Sequence, residues 1–435
     1  MINLSRCLAL LLVVAGASTV LAQPPPPAPL VITPNKSSAI YSTGEPVVWT
    51  LRERKPDATA SGDFTYTIKE NGLVVIASGQ ISVQSGPAKI QASLDHPGML
   101  YLEATPKAGG QASVAGAAVA PRDLKPDTPC PADFDAFWAS KIKLLESIPP
   151  DPVVTPGDSG KAGVWYATVK LNQINNAHIY GQIAKPDRPG KFPAMLVLQW
   201  ASPPYPLQKS WVVDHAADGW LALNIEPHDV PGNMPAEFYA ALPEMIKEYN
   251  TIYDDDRDKC YFLAMYLGAY RAVEYLASRP DWDGKVMLAY GTSMGGQQSL
   301  AVAGLNHRVT DVVVDVPAGA DANAALHGRA EPYPFWNVSN PKVAETGRYF
   351  DTVNLSARSH ARTLLGLGFI DTTCPPSGTW TAFNQIAGPK EAVPMVHSPH
   401  NNTATTEEQK PFMDRQNVWL AALVKDEQPA VLPGR

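Results

Sequence analysis

The stretch Tyr290-Gly291-Thr292-Ser293-Met294-Gly295-Gly296 decides how the rest of this chain is read. It is a G-x-S-x-G, preceded by the apolar run 286–290 and followed by a helix-like run, 297–305. A serine on a tight strand-to-helix turn needs glycine two positions before and two after it, because side chains there would strike neighbouring backbone. The same turn lifts the hydroxyl above a sheet and aims backbone amides at the same spot. A lone match of this kind is common by chance, so its weight comes from the strand–turn–helix setting.

Outward from the turn, short apolar runs alternate with helical stretches. Strands are expected at 194–198, 220–225, 286–290, 312–316 and 364–370, with a helix over 261–277. This alternation implies a mostly parallel sheet with helices on both faces, and with the serine turn it predicts an α/β-hydrolase over 123–430. That unit opens with Pro131-Ala132-Asp133-Phe134-Asp135-Ala136-Phe137-Trp138, a helix start with Asp133 as N-cap. Residues 30–122 read differently. Runs such as Val47-Val48-Trp49-Thr50-Leu51 and Phe64-Thr65-Tyr66-Thr67-Ile68 alternate with period two between turns such as Asn71-Gly72. They predict a small all-β sandwich of immunoglobulin-like size that contributes no catalytic group.

A serine hydroxyl needs a base within hydrogen-bond reach. In this fold the order along the chain is serine, acid, histidine. Of nine histidines, His397 and His400 follow a suitable acid late in the chain. Asp371 stands at the end of the 364–370 run, and Asp315, one strand earlier, is its rival. Asp315 is expected to be a hydrogen-bonded carboxylate near a strand end. His400 lies on the loop Ser398-Pro399-His400-Asn401-Asn402, before a last helix over 407–423, whereas His397 is still at a strand end. The expected set is therefore Ser293, Asp371 and His400. The oxyanion hole should combine the amide of Met294 with one from Gln199-Trp200-Ala201-Ser202, near Trp200 or Ala201. Trp200, Tyr205 and Trp211 could form an aromatic rim for substrate.

The first residues suggest export. Arg6 precedes an apolar run and Val20-Leu21-Ala22 offers a cleavage site, so 1–22 read as a signal peptide, with a proline-rich spacer over 23–29. A secreted or periplasmic protein is expected, with no membrane attachment after cleavage. Cleavage would leave Cys130, Cys260 and Cys374, enough for one disulfide at most and without zinc-site spacing. The net charge of −7 argues against nucleic acid as a partner. Asp254-Asp255-Asp256-Arg257-Asp258 lacks the spaced ligands of a calcium loop and reads as a solvated turn before a helix. No phosphate-binding glycine motif appears, so neither cofactor nor metal is expected.

From 131 to 423 the chain resembles the acetyl xylan esterase and cephalosporin C deacetylase family, carbohydrate esterase family seven. The resemblance rests on the helix start at 131–138, on Ile179-Tyr180-Gly181 with Lys185-Pro186, and on Tyr266-Leu267-Gly268-Ala269-Tyr270-Arg271-Ala272-Val273-Glu274. It is most specific at Asp371-Thr372-Thr373-Cys374-Pro375-Pro376-Ser377. It implies that Asp371 is the acid, that Cys374 is a buried structural thiol, and that acetyl groups leave sugars through an acyl-enzyme without metal or cofactor. The chain departs from the family pattern at Met294 (usually glutamine), at His228-Asp229-Val230 (Arg-Gly-Gln), at Pro399-His400-Asn401 (Gly-His-Glu) and at Gln199-Trp200 (His-Gly). The expected function is removal of short acyl groups, acetyl above all, from carbohydrate. Alternatives are a related hydrolase of peptides or of bulkier acyl or uronate esters, and a non-catalytic glycan-binding protein.

Overall fold

The structure, a computed structural model, describes residues 28–54, 62–200, 207–231, 234–241 and 248–432. The expected signal peptide and nearly all of the spacer lie outside them, as do Ala201 and Tyr205.

Eight strands come first: β1 (Leu30–Pro34), β2 (Ile40–Tyr41), β3 (Val47–Glu53), β4 (Asp63–Glu70), β5 (Val74–Ser82), β6 (Ala88–Ala92), β7 (Gly98–Pro106) and β8 (Ser113–Val119). They form a three-stranded sheet, β1-β3-β6, and a five-stranded one, β2-β8-β7-β4-β5. Period-two patterning sets the faces. In β3, Val47, Trp49 and Leu51 are buried while their neighbours are not, and Leu100, Leu102 and Ala104 of β7 belong to the same apolar core. All pairs but the short β2–β8 contact are antiparallel, with β4–β5 and β7–β8 as hairpins and the other pairings made between strands that are not consecutive in the chain.

The helix Phe134–Glu146 then begins the second unit. Asp133 precedes it but does not cap it. Its backbone is not extended (φ −99°, ψ 11°), and its carboxylate instead accepts from the Tyr349 hydroxyl and from Arg257, 3.0 Å away. Nine strands follow: β9 (Val153–Gly157), β10 (Val164–Asn172), β11 (His178–Pro186), β12 (Phe192–Leu198), β13 (Leu221–Ile225), β14 (Trp282–Thr292), β15 (Asp311–Asp315), β16 (Arg362–Gly368) and β17 (Lys390–Met395). Their order is β17-β16-β15-β14-β12-β13-β11-β10-β9. The run from β13 to β17 is parallel, and β9, β10 and β11 are antiparallel additions at one edge.

Every residue of β12, β13 and β15 is buried, which is why these strands read as continuous apolar runs. Alternate side chains serve opposite layers. Leu196, Ala289 and Val312 pack with Ala272, Leu276 and Leu300 of the helices Tyr261–Ser278 and Met294–Leu305. Met195, Leu288 and Val313 pack with Val212, Phe412 and Trp419 of the helices Ser210–Ala217 and Thr406–Val424. The sheet is thereby covered on both sides, and loops at its carboxyl edge are left to build a site.

Gly304 tests this packing. Alanine usually stabilises a helix interior relative to glycine by roughly 0.5–1 kcal/mol. Here a Cβ on Gly304 would lie 2.2 Å from the carbonyl oxygen of Leu355. Gly304→Ala should therefore reverse the sign and destabilise the fold by about 1–3 kcal/mol, read as a lower denaturant midpoint.

Candidate active site

The serine turn lies where β14 meets the helix Met294–Leu305. Ser293 has φ 56° and ψ −120°, a strained conformation for a residue with a side chain. Backbone bonds hold it: its amide donates to Asp315 (2.9 Å), and its carbonyl accepts from Gln297 (2.9 Å) and Ala318 (3.0 Å). Both flanking glycines are sterically required. A Cβ on Gly291 would sit 2.4 Å from the carbonyl carbon of Gly295, and one on Gly295 would sit 2.1 Å from the carbonyl oxygen of Leu198. The turn is therefore pressed against the end of β12. Met294 is the first residue of its helix, so its amide has no carbonyl four residues back to bond.

Three side chains from distant segments meet here. His400 Nε2 lies 2.9 Å from Ser293 Oγ, and His400 Nδ1 lies 2.7 Å from Asp371 Oδ2. The other Asp371 oxygen, Oδ1, accepts from the amides of Thr373 and Cys374, both at 2.8 Å. Asp371 and His400 are both buried. The carbonyl of His400 accepts from the amides of Thr403 and Ala404, which fixes the loop bearing the ring.

The two rivals fall elsewhere. His397 is exposed. Asp315 is buried close to the histidine; the Val316 amide bonds its carboxylate, while its Oδ1 has no hydrogen-bond partner among the described residues. Burial pushes its carboxyl up to about 7, with the nearby Asp371 adding to the rise and His400 opposing it. Val316, the next residue, turns away with φ 38°, so the strand ends one residue earlier than the apolar run suggests.

A cleft of about 560 Å³ opens at Ser293, with Trp200, Tyr249, Asn250 and Tyr333 among its walls. Trp200 is 38% exposed. Trp211 does not line the cleft. It stands edge-on behind Trp200, centroids 5.5 Å apart, and packs into the core. Tyr249 and Tyr333 were not foreseen, since each comes from an irregular segment without periodicity or motif. Their hydroxyls bond each other, and the Tyr249 hydroxyl lies 3.0 Å from the sulfur of Met294. The Met294 side chain is thus built into one wall of the cleft. At another departure from the family pattern, the His228 ring pairs with the Tyr261 hydroxyl and lies 5.5 Å from the ring of Tyr249.

A buried amide chain secures the loop after β12, and it too had no signature in the sequence. Gln298 Nε2 donates to the carbonyl of Gln199 (2.7 Å), whose side-chain oxygen accepts from Asn224 Nδ2 (3.2 Å). Gln182 Nε2 donates both to Asn224 Oδ1 (3.1 Å) and to the carbonyl of Gln208 (2.8 Å). Gln199 and Gln208 are held by one network.

Cys374 is buried beside this site. Burial pushes its thiol well above the usual range, and the Asp371 charge adds to the effect. Cys130 and Cys260 are also free thiols. Asp371, Cys374 and His400 bring ligand-type atoms within 4.8 Å of one another, but the serine–histidine–aspartate chain already accounts for two of the three. The Asp254–Asp258 stretch is a turn in which Asp256 accepts from the Asp258 amide (3.0 Å) and pairs with Lys259 (2.8 Å). The described residues hold no helix long and apolar enough to cross a membrane.

This geometry, a hydroxyl on a strained strand–helix turn with imidazole and carboxylate behind it, meets the requirement for an activated nucleophile. A family model described as acetyl xylan esterase (AXE1) matches residues 122–417. The chain belongs to that family. It is accordingly a carboxylic ester hydrolase with the α/β-hydrolase fold. The acetyl esterase Axe7A of Xylanibacter ruminicola is 29% identical over 408 residues, covering 90% of each chain. An acetyl xylan esterase from Paenibacillus sp. R4 superposes with a TM-score of 0.58 at 26% identity, covering 68% of this chain and 96% of the other. Acetyl xylan esterase 1 from a Thermoanaerobacterium species gives 0.59 at 21% identity, over 70% and 97%.

One buried acid near the cleft makes stability depend on pH. Glu226 is 3% exposed, and neither carboxyl oxygen finds a hydrogen-bond partner of good geometry among the described residues. Burial pushes it from 4.5 up to about 8, offset only in part by the His228 amide. The folded protein then keeps a proton that the unfolded chain has lost, so this contribution is fully present below pH 4.5 and lost as pH rises through about 8. Glu226→Gln removes the titration. Relative to the parent protein it should gain about 1–3 kcal/mol between pH 4.5 and pH 9, read as a widening difference in melting temperature.

Proposed function

We propose that this chain is a secreted serine esterase that removes acetyl groups from carbohydrate, with Ser293 as nucleophile, His400 as base and Asp371 as the group that orients and stabilises the imidazolium. The observation that carries the reading is the hydrogen-bonded chain Asp371–His400–Ser293 on the strained turn. His400 Nε2 takes the hydroxyl proton as Oγ attacks the acetyl carbon. The resulting oxyanion is met by the amide of Met294 and by one from the Trp200–Ala201 segment. Collapse releases the sugar hydroxyl, which receives the proton from His400, and leaves an acetyl-serine. Water, deprotonated by the same ring, then attacks that ester; the Ser293 oxygen leaves with the proton that His400 returns, and acetate is released.

Tyr249, Tyr333 and Met294 bond one another in the wall beside the serine, where the acyl group would lie. The exposed Trp200 offers an apolar face on which a sugar ring can stack. The name of the Axe7A relative and the family description support the same substrate class. The sequence of residues 1–22 supports export.

Ser293→Ala should lower kcat on an activated acetate ester by at least roughly 10³-fold, and near-normal turnover by the folded variant would sink the nucleophile assignment. Asp371→Asn should cost at least roughly 10²–10⁴-fold. Across a panel of acyl lengths and sugars, kcat/KM should be highest for acetylated carbohydrate and fall by about tenfold or more at butyrate. Tyr333→Ala should relax that fall. A preference for methyl uronates, peptides or long chains, with acetylated sugars untouched, would overturn the substrate assignment and leave the nucleophile standing.

A further inference from the structure

From the sequence alone, the N-terminal sandwich is expected to contribute no catalytic group. Its contacts with the second unit lead elsewhere. β16 ends at Gly368, and Phe369 and Ile370 are the only residues between it and Asp371. The backbone of Phe369 lies directly on β8 of the sandwich. A Cβ built on Gly116, in the middle of β8, would be 2.4 Å from the Phe369 carbonyl oxygen and 2.7 Å from its Cβ. No side chain fits there, so two backbones from different units are in direct contact two residues from the carboxylate that holds His400.

Further contacts link the sandwich and the connector to the segments around the same loop. At the β4–β5 turn the carbonyl of Asn71 accepts from the amide of Ala330 (2.9 Å), and three residues on, the amide of Tyr333 donates to the carbonyl of Thr373 (2.8 Å). The segment between sandwich and acid loop is thus bonded to both. A cavity of about 270 Å³ has Asn71, Met99 and Tyr101 on one wall and Phe369, Asp371 and Thr372 on the other. Beyond the loop, the helix Pro376–Gln385 is held by the connector. Asn384 Nδ2 donates to the carbonyls of Pro121 and Leu124 (2.9 Å each), and the Arg122 guanidinium lies 5.4 Å from the Phe383 ring. The apolar core is continuous from Trp49 and Leu102 through Phe369 and Trp380 to Leu365.

We propose that the sandwich is a positioning element of the active site: β8, packed at Gly116 against Phe369, sets the height and direction of the loop that presents Asp371 to His400. This rests on the assignment of Asp371 as the orienting acid. The reason a whole domain is needed lies in the loop itself. Phe369, Ile370 and Asp371 follow the last ladder-paired residue of β16, and their amides reach Met395, Ser398 and Gly368 through longer bonds of 3.1, 3.3 and 3.4 Å. One face of this segment is therefore held weakly from within its own unit, and the sandwich closes the other. The family match begins at residue 122 and omits the sandwich. The Axe7A alignment, at 90% of this chain, must extend into it.

The test uses full-length Gly116→Ala and Gly116→Val, with exposed Val75→Ser as a control in the same sandwich. Turnover of 4-nitrophenyl acetate, its pH profile, fluorophosphonate labelling and melting temperature are measured on each. In Gly116→Val the added atoms must push Phe369 away. kcat should fall by at least roughly tenfold while KM stays within about twofold. An imidazole with a displaced carboxylate holds its proton less tightly, so the acidic limb of kcat/KM should move to lower pH by about half a unit or more. Gly116→Ala should show the same pattern at smaller size and decides the matter if the valine variant does not fold. Val75→Ser should match the parent protein. Folded Gly116 variants with parental kcat and an unmoved limb overturn the proposal. So does a loss of activity that merely follows the unfolded fraction, with the limb in place. If Ser293→Ala keeps its labelling and turnover, it is the nucleophile assignment that fails, whatever the Gly116 variants do.

Discussion

The approach of Gly295 to the end of β12 is the constraint on which the rest of the site depends. Because no Cβ is present, the helix Met294–Leu305 can start directly against the carbonyl of Leu198. That contact brings the turn carrying Ser293 to the loop that begins at Gln199. It also orients the helix so that Gln298 reaches the Gln199 carbonyl. From there the amide chain through Asn224 and Gln182 reaches Gln208 at the loop's far end. One steric vacancy therefore couples Ser293 to the segment expected to stabilise the oxyanion. Such coupling matters because oxyanion donors act only if they are in place before charge develops.

The site accepts polar burial that a purely structural core would avoid. Asp371 is buried, but its two oxygens have three hydrogen-bond partners between them. Asp315 and Glu226 are buried with oxygens left unbonded, and burial favours their protonated forms. A buried unpaired carboxylate is costly, and taking up a proton lowers that cost. The contrast distinguishes the two aspartates near His400. The one whose two oxygens share three partners can remain an anion and pair with the imidazole, while burial pushes the one with an unbonded oxygen toward its protonated form.

The sandwich brings a different economy of structure. Its strands bury their own apolar faces, yet the same core runs on into the acid loop and the helix behind it. A loop that leaves a parallel sheet at its carboxyl edge has no ladder partner beyond the last paired residue, so something outside the sheet must fix it. Here that outside support comes from residues more than 250 positions earlier in the chain, a separation that only folding can bridge.

Much was legible in the sequence because it is local. The G-x-S-x-G at 291–295 marked the turn, since Gly291 is required by the backbone of Gly295 four residues on, although the contact that requires Gly295 is with the distant Leu198. The apolar runs of β12, β13 and β15 marked a sheet covered on both faces, since burial on both sides removes alternation. The period-two runs of 30–122 marked the sandwich for the converse reason. What tertiary structure alone decided is what depends on contacts between distant segments. It joined Asp371 and His400 to Ser293 in one hydrogen-bonded chain and left His397 exposed, because hydrogen-bond geometry and exposure are not functions of spacing. It brought Tyr249 and Tyr333 to the serine from irregular segments and moved Trp211 behind Trp200. It assigned β9, β10 and β11 to the sheet edge and set Gly116 against Phe369, because a glycine in a strand reveals nothing of the backbone it will meet until the two units are packed.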